Sequence, residues 1–271
     1  MGSRVKVLVH GALGKMGQEI LRALCRDTEL EAVAGVDLKA DSKELLLPDS
    51  SRSISLSTDL VSTLEHCRPD VLVDFTTANA TMAAVRTAVE HNVRLVIGTT
   101  GLSTTDLDEI KRLCHSQGVG AIVAPNFSLA AVVMIYLAKI AARFFDYAEI
   151  IEMHHEQKSD APSGTAVATA REMVKSRGKA FLHTITTHES IVSSRGGELD
   201  GIALHSVRLP GMLAHQEVIL GAPGQTLRIR LDQINREAFM PCVTLAIKKV
   251  VELNEAVFGL NQLLGLEEEN C

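Results

Sequence analysis

The chain has 271 residues, 46% hydrophobic and 22% charged, the balance of a folded globular protein of about two domains and not of a disordered segment. A net charge of −6 with thinly spread Lys and Arg argues against nucleic acid or an anionic membrane as partner, since both want a concentrated basic patch. Aromatic residues make up only 3%, with no Trp, so the core must be built from Val, Leu, Ile and Ala, as buried parallel sheets are.

Targeting and redox signals point the same way. The longest apolar run, residues 129–138, is too short to span a bilayer. No secretory apolar stretch follows the start, and Lys6 stands where a myristoylation signal opening on Met1-Gly2 needs Ser or Thr. Cys25, Cys67, Cys114, Cys242 and Cys271 are odd in number and lack a CxxC pair, which suggests neither a disulfide framework nor a zinc site. The expectation is a soluble, cytoplasmic, reduced protein.

In chain order, residues 4–9 read as a strand, followed by a glycine loop and a helix over 15–26. Residues 30–36 form a second strand. Residues 39–59 are polar and poorly patterned, a loop with at most a short strand at 54–57. Strands follow at 71–75, 93–97 and 120–124, separated by a helix that Asn79 would cap and that runs to about His91, and by an amphipathic helix over 103–117. Strands alternating with helices of this length imply βαβ units and a parallel sheet. From about Asn126 the pattern changes. Residues 128–145 predict one long apolar helix, buried at a domain junction. Residues 147–153 predict a strand and 165–177 an Ala-rich helix. The alternation of Leu227, Ile229 and Leu231 with Arg228, Arg230 and Asp232 gives a strand with one wet face. This half reads as an α+β domain with an open, mostly antiparallel sheet, and the tail over 241–258 reads as helix. The domains are therefore expected at 1–127 with 240–271, and at 128–239.

Gly11, Gly14 and Gly17 spell G-x-x-G-x-x-G between the first strand and the first helix. Glycine there permits a tight turn, close approach of a pyrophosphate to backbone N–H groups, and close helix–sheet packing. The loop Gly11-Ala12-Leu13-Gly14-Lys15-Met16-Gly17 is the expected cradle of a nicotinamide dinucleotide on a Rossmann-type sheet. Asp37, at the end of the second strand, is placed to accept from the adenosine ribose hydroxyls. Asp37 favours NADH by repelling a 2′-phosphate, whereas Lys39 could pair with one, so NADH and NADPH both stay open. Three further loops leave the same sheet edge: Asp74-Phe75-Thr76, Gly98-Thr99-Thr100-Gly101 and Ala124-Pro125-Asn126-Phe127-Ser128. Open α/β sheets bind ligands at that edge.

The segment 152–166, Glu-Met-His-His-Glu-Gln-Lys-Ser-Asp-Ala-Pro-Ser-Gly-Thr-Ala, is the richest of the chain. Ser163 reads as an N-cap, so Gly164 and Thr165 would present free backbone N–H groups at a helix start suited to a carboxylate or phosphate. Lys158 adds a mobile positive charge, and His154 or His155 can supply a proton near neutral pH. Adjacent histidines on a strand point to opposite faces and are poorly placed to grip one metal ion. With a hydride donor in the neighbouring domain, the chemistry implied is reduction of a polarised double bond with assisted protonation.

These motifs, with Val207-Arg208-Leu209-Pro210-Gly211, His215-Gln216-Glu217 and Phe239-Met240-Pro241, resemble the dihydrodipicolinate reductase family over nearly the whole chain. The resemblance implies NAD(P)H-dependent reduction of 4-hydroxy-tetrahydrodipicolinate, with loss of water, in lysine and diaminopimelate biosynthesis. It implies that His154 is a proton donor or acceptor and Lys158 a proton donor. His155, Gly164 and Thr165 would contact substrate carboxylates, and Gly11–Met16, Asp37, Gly98–Thr100 and Ala124–Phe127 the cofactor. It also implies a homotetramer built through the open sheet of the second domain. Some members carry arginine where this chain has Leu38, so the cofactor preference is not implied. Two rivals remain: another two-domain amino- or hydroxy-acid dehydrogenase, which would not explain the 154–165 spacing, and an NAD-binding regulatory protein on the same fold, which predicts erosion at His154, Lys158 or Gly164.

Overall fold

The computed structural model describes residues 3–266; Met1, Gly2 and Cys271, and with them the myristoylation reading and the fifth cysteine, lie outside them. The chain divides into two compact units. One takes in the chain up to Ser128 and again from Phe239, the other Leu129–Ala238.

The first unit opens with β1 (Val5–His10), α1 (Lys15–Arg26), β2 (Leu30–Val36), β3 (Glu44–Leu46), β4 (Ser53–Ser57), α2 (Leu60–Cys67), β5 (Val71–Asp74), α3 (Ala78–Glu90), β6 (Arg94–Ile97), α4 (Thr104–Gln117) and β7 (Ala121–Val123). The second contains α5 (Leu129–Ala141), β8 (Tyr147–His154), α6 (Gly164–Arg177), β9 (Gly197–Leu199), β10 (Ile202–Arg208), β11 (Ala214–Ala222) and β12 (Gln225–Gln233). The chain then re-enters the first unit with α7 (Met240–Val250) and β13 (Ala256–Phe258).

The first sheet has the order β13-β7-β6-β5-β1-β2-β4-β3, parallel throughout except for the β3–β4 pair. Val7, Leu8 and Val9 on β1 are wholly buried, as a strand in the middle of a two-sided sheet must be. The chain goes from β1 to β2 on one side and later to β5 on the other. This reversal opens the crevice where doubly wound sheets take their ligands.

The second sheet, β12-β11-β8-β10-β9, is mixed: only β8 and β10 run parallel. Along β8 the side chains of Ala148, Ile150 and Glu152 are buried, and the first two pack with Ala166, Ala170 and Met173 of α6. Leu231 of the edge strand β12 packs with Ala131 and Met134 of α5, whereas Leu227 at the other end of the row is 39% exposed.

Several expectations need correction. The tail is not one helix to residue 258: α7 stops at Val250, and Ala256–Phe258 adds a parallel strand to β7, giving the edge of that short strand backbone partners. Within 39–59 the short strand expected at 54–57 is β4, but Glu44–Leu46 adds an unexpected antiparallel partner, β3; beyond it α2 forms where no helix is expected, with Asp59 accepting from the Ser62 N–H as its N-cap. Helix α3 starts two residues earlier than Asn79 suggests, with Thr77 at the N-cap. The apolar segment 128–145 is helix only to Ala141, followed by a 3₁₀ turn. Only Ala131, Met134 and Ala138 of α5 are buried, so most of its apolar surface does not serve the core of its unit.

Candidate active site

In the first unit, Gly11 has φ +78° and a Cβ there would lie 2.7 Å from the Thr76 methyl. At Gly17 a Cβ would stand 2.2 Å from the Gly11 carbonyl oxygen, so the first turn of α1 can press against the loop only because both positions lack side chains. Gly14 is the N-cap of α1, which has no side-chain cap and no acidic residue in its first turn. The helix start therefore offers uncapped N–H groups and an unopposed dipole to an anion. The Asp37 carboxylate accepts from the Leu13 N–H (3.0 Å) and from the Lys39 N–H (2.9 Å), which fixes it beside the glycine loop. The Lys39 side chain is exposed, and so is 87% of Leu38. This donor set, a glycine cradle with an anchored acidic residue, fits a nicotinamide dinucleotide.

The other loops of this edge meet at Asp74, which is 1% exposed. Its Oδ1 accepts from the Thr76 N–H (2.9 Å) and from the hydroxyls of Thr76 (2.8 Å), Thr81 (2.9 Å) and Thr99 (2.8 Å), while its Oδ2 lies 2.6 Å from His10 Nδ1. Burial pushes the carboxyl upward, but the bonds from His10 and Thr76 outweigh it and hold Asp74 below the usual carboxylate range. Thr99 is thereby turned inward, and the side chains of Ala12, Ala124 and Phe127 are also buried, so these four can offer a ligand little but their main chain. Phe75 lies tilted against Phe127, the ring planes at 57° and centroids 5.3 Å apart, and its ring covers Gly98 so closely that a Cβ there would be 2.0 Å away. Thr100 and Pro125 are exposed, and Asn126 accepts from the Ser128 N–H (2.9 Å).

In the second unit, the segment from β8 to α6 brings His154, Lys158, Ser163, Gly164 and Thr165 onto one connection. Ser163 caps α6, its hydroxyl accepting from the Ala166 N–H (3.2 Å). His154 closes the inward row of β8 after Glu152, and its Nδ1 lies 2.6 Å from Glu152 Oε2. His155 follows the end of the strand, half-buried. Burial draws the imidazole of His154 down from its ordinary range, helped by the charges of Lys158 and Arg208, and Glu152 only partly offsets this. The balance favours the neutral imidazole. Lys158, expected as a mobile charge, has its Nζ 2.7 Å from Oδ1 of the exposed Asp160. Lys158, with a contribution from the Gly164 N–H, keeps the Asp160 carboxyl low, so Asp160 stands as an exposed carboxylate beside the start of α6.

Two residues at this site went unassigned in the sequence reading. Glu152 is fully buried, and Arg208 grips it in a two-pronged pair, Nη1 to Oε2 at 2.9 Å and Nη2 to Oε1 at 2.8 Å. Arg208 also donates to the Asp160 carbonyl. The signal for Glu152 lay in the strand alternation, which puts a carboxylate where Ala148 and Ile150 predict an apolar side chain.

A dinucleotide-type sheet with an uncapped glycine loop, joined to a mixed-sheet unit carrying a histidine, a lysine and a capped helix start, defines a two-domain nicotinamide-dependent reductase. Models of the dihydrodipicolinate reductase N-terminus and C-terminus match residues 5–127 and 130–264. The chain belongs to the dihydrodipicolinate reductase family. It is 53% identical to the 4-hydroxy-tetrahydrodipicolinate reductase of a Dehalococcoides mccartyi strain, covering 97% of this chain and 99% of that one. To the enzyme of the same name from Syntrophomonas wolfei it is 45% identical, over 97% and 100%. Among solved structures, the dipicolinate-bound dihydrodipicolinate reductase from Paenisporosarcina sp. TG-14 superposes with TM-score 0.83 at 39% identity, covering 96% of this chain and 99% of that one. An amine dehydrogenase from Mycobacterium smegmatis, at TM-score 0.63, 18% identity and coverage of 94% and 95%, shares the fold.

Proposed function

We propose that this protein reduces 4-hydroxy-tetrahydrodipicolinate to tetrahydrodipicolinate, consuming one NAD(P)H and one proton and releasing NAD(P)⁺ and water. The observation that carries this reading is the β8–α6 connection, where a half-buried, carboxylate-bound histidine, a lysine and a capped helix start stand together. Such donors suit a small cyclic dicarboxylate, and the solved relative at 39% identity is a dipicolinate complex.

Gly11, Ala12, Leu13, Gly14, Lys15, Met16, Gly17 and Asp37 hold the dinucleotide, with Phe75, Gly98, Thr99, Thr100 and Ala124–Phe127 along the same edge. The bound cofactor supplies the hydride. The N–H groups of Gly164 and Thr165 and the Ser163 cap hold one substrate carboxylate, displacing Asp160, and His155 contacts the substrate from the strand end. The Lys158 ammonium, freed from Asp160, and His154 handle the proton that accompanies hydride addition and the departure of the hydroxyl as water. Contacts of this kind are worth about 1–3 kcal/mol each, enough to orient the ring.

The test is oxidation of NADH or NADPH, followed by absorbance, with freshly generated 4-hydroxy-tetrahydrodipicolinate. Tight cofactor binding without substrate-dependent turnover would overturn the reading. Comparing KM for NADH and NADPH decides between the roles of Asp37 and Lys39.

The working form in this reading is a cytoplasmic homotetramer assembled through the open sheet of the second unit. It is supported by the exposed apolar side chains of Ile185, Ile191 and Val192 (81%, 76% and 86% exposed), which lie on the connection leading into β9, the edge of that sheet, and are large for a free surface. Light scattering of the purified protein checks it; a monomer at micromolar concentration would sink it. No described helix is long and apolar enough to cross a membrane.

A further inference from the structure

Glu152 has more partners than a structural carboxylate needs. Its Oε1 accepts from the Ser163 N–H (3.1 Å) and Arg208 Nη2 (2.8 Å); its Oε2 accepts from Arg208 Nη1 (2.9 Å) and faces His154 Nδ1 at 2.6 Å. Ser206, opposite Glu152 in the β8–β10 register, adds a side-chain bond. A buried ion pair is a poor stabiliser, because desolvating both charges cancels most of their attraction, and an apolar replacement of similar shape is often as stable. The row that begins Ala148, Ile150 could have continued with a third apolar residue. What an apolar residue could not do is dictate where the proton on His154 sits.

We propose that Glu152, held by Arg208, is a positioning residue that fixes His154 in the Nδ1–H tautomer and ties it to the N-terminus of α6. An ionised carboxylate only accepts, so His154 must donate from Nδ1. Its Nε2 is then left with the lone pair, free to exchange a proton with whatever lies beyond the ring. The same carboxylate binds the N–H of Ser163, the residue that caps α6. One group therefore sets both the proton-handling ring and the donors at Gly164 and Thr165. Burial works against the charge of Glu152, but the bonds from Arg208, Ser206 and His154 keep its carboxyl below the usual range, so it stays an acceptor throughout the neutral range. The catalytic consequence rests on the function proposed above; the tautomer does not.

Glu152→Gln separates these roles. The amide retains one acceptor and gains an NH₂. On the Oε1 side both neighbours are obligate donors, the Ser163 N–H and Arg208 Nη2, so the amide oxygen belongs there. The NH₂ then faces His154 Nδ1, the neighbour that can switch from donor to acceptor, and the ring proton moves to Nε2; Arg208 Nη1 loses its acceptor on this side and keeps the Val207 carbonyl (2.8 Å). The first measurement needs no variant: ¹⁵N–¹H spectra of the imidazoles in the wild-type protein, with His154 assigned by its loss in His154→Gln, should show a protonated Nδ1 and a bare Nε2 above the imidazole's titration range. In E152Q the pattern should invert, kcat should fall by roughly 10²-fold, the usual contribution of a well-placed acid–base group, and NADH affinity should not change. A wild-type Nε2–H tautomer overturns the proposal whether or not the variant folds, and so does an E152Q protein with the wild-type tautomer and kcat. Absence of turnover in the wild type with the Nδ1–H pattern present would instead remove the function reading and leave the positioning role standing.

Discussion

Asp74 gives the sharpest quantitative expectation. Five donors converge on this buried carboxylate, from β1, from the chain after β5, from α3 and from the loop after β6, so it joins the loops that form the cofactor edge. In Asp74→Ala some of them find other partners. The Thr76 N–H still has the Thr99 hydroxyl at 2.9 Å, and the Thr81 hydroxyl has Thr99 at 2.9 Å. His10 is partly exposed and can turn to water. The hydroxyl hydrogens of Thr76 and Thr99 are left without a good acceptor, since the Thr76–Thr81 distance is 3.4 Å. At about 1–3 kcal/mol for each stranded buried donor, the loss is about 4 kcal/mol. Asp74→Asn keeps Oδ1 for the three threonines and turns its NH₂ toward His10 Nδ1, which can accept by changing tautomer. Only the charge assistance is lost, at about 1 kcal/mol. Urea unfolding followed by circular dichroism, with the slope monitored, reads both values, and NADH titration reads the edge directly. Equal destabilisation by Asn and Ala, or two variants within about 0.5 kcal/mol of wild type, would refute the reasoning.

Gly17→Ala should destabilise by about 1–2 kcal/mol despite a better helix propensity, because its Cβ meets the Gly11 carbonyl at 2.2 Å; NADH affinity should drop about tenfold, and a stabilised variant with intact binding would contradict the packing argument. Lys158→Ala should lower kcat by about 10²-fold with NADH affinity retained; collapse of NADH binding would move Lys158 into the cofactor site. Asp160→Ala should tighten binding of dipicolinate by at most about fivefold, the worth of an exposed ion pair, as measured by calorimetry; weaker binding would mean that Asp160 orients Lys158 and does not compete for it. Asp74 and Glu152 are both held below their ordinary range, so the unfolded chain takes up protons first as pH falls. Their contribution is full above the ordinary carboxylate range and is lost as pH drops through their lowered values, so Asp74→Asn should flatten the acid arm of a stability–pH curve; an unchanged arm would assign the acid sensitivity elsewhere.

The sequence was most legible where chemistry is local. The glycine loop, the strand ends that carry Asp37 and Asp74, and the Ser163 cap are each decided by residues a few positions apart, and all appear where spacing and capping rules put them. Legibility failed where a partner lies far along the chain. Strand β13 exists because β7 has a free edge, and nothing in residues 256–258 announces that edge. The tether on Lys158 was missed for a different reason: Asp160, two residues away, was visible, but the turn that brings the two together was not.

Glu152 shows both limits at once. Its oddity is local, a carboxylate on the inward row of β8, and the period-2 pattern of Tyr147–His154 is enough to expose it. Its meaning is not local. Arg208 stands 56 residues further on and reaches Glu152 because β10 lies parallel to β8, placing Arg208 beside His154 at the end of the register. A parallel pair requires a crossover, and the crossover here runs through α6, whose first turn carries the Gly164-Thr165 donors. The connection that lets the arginine meet the glutamate is thus the same one that builds the anion site, which is why histidine, lysine and helix start arrive together at the end of one strand.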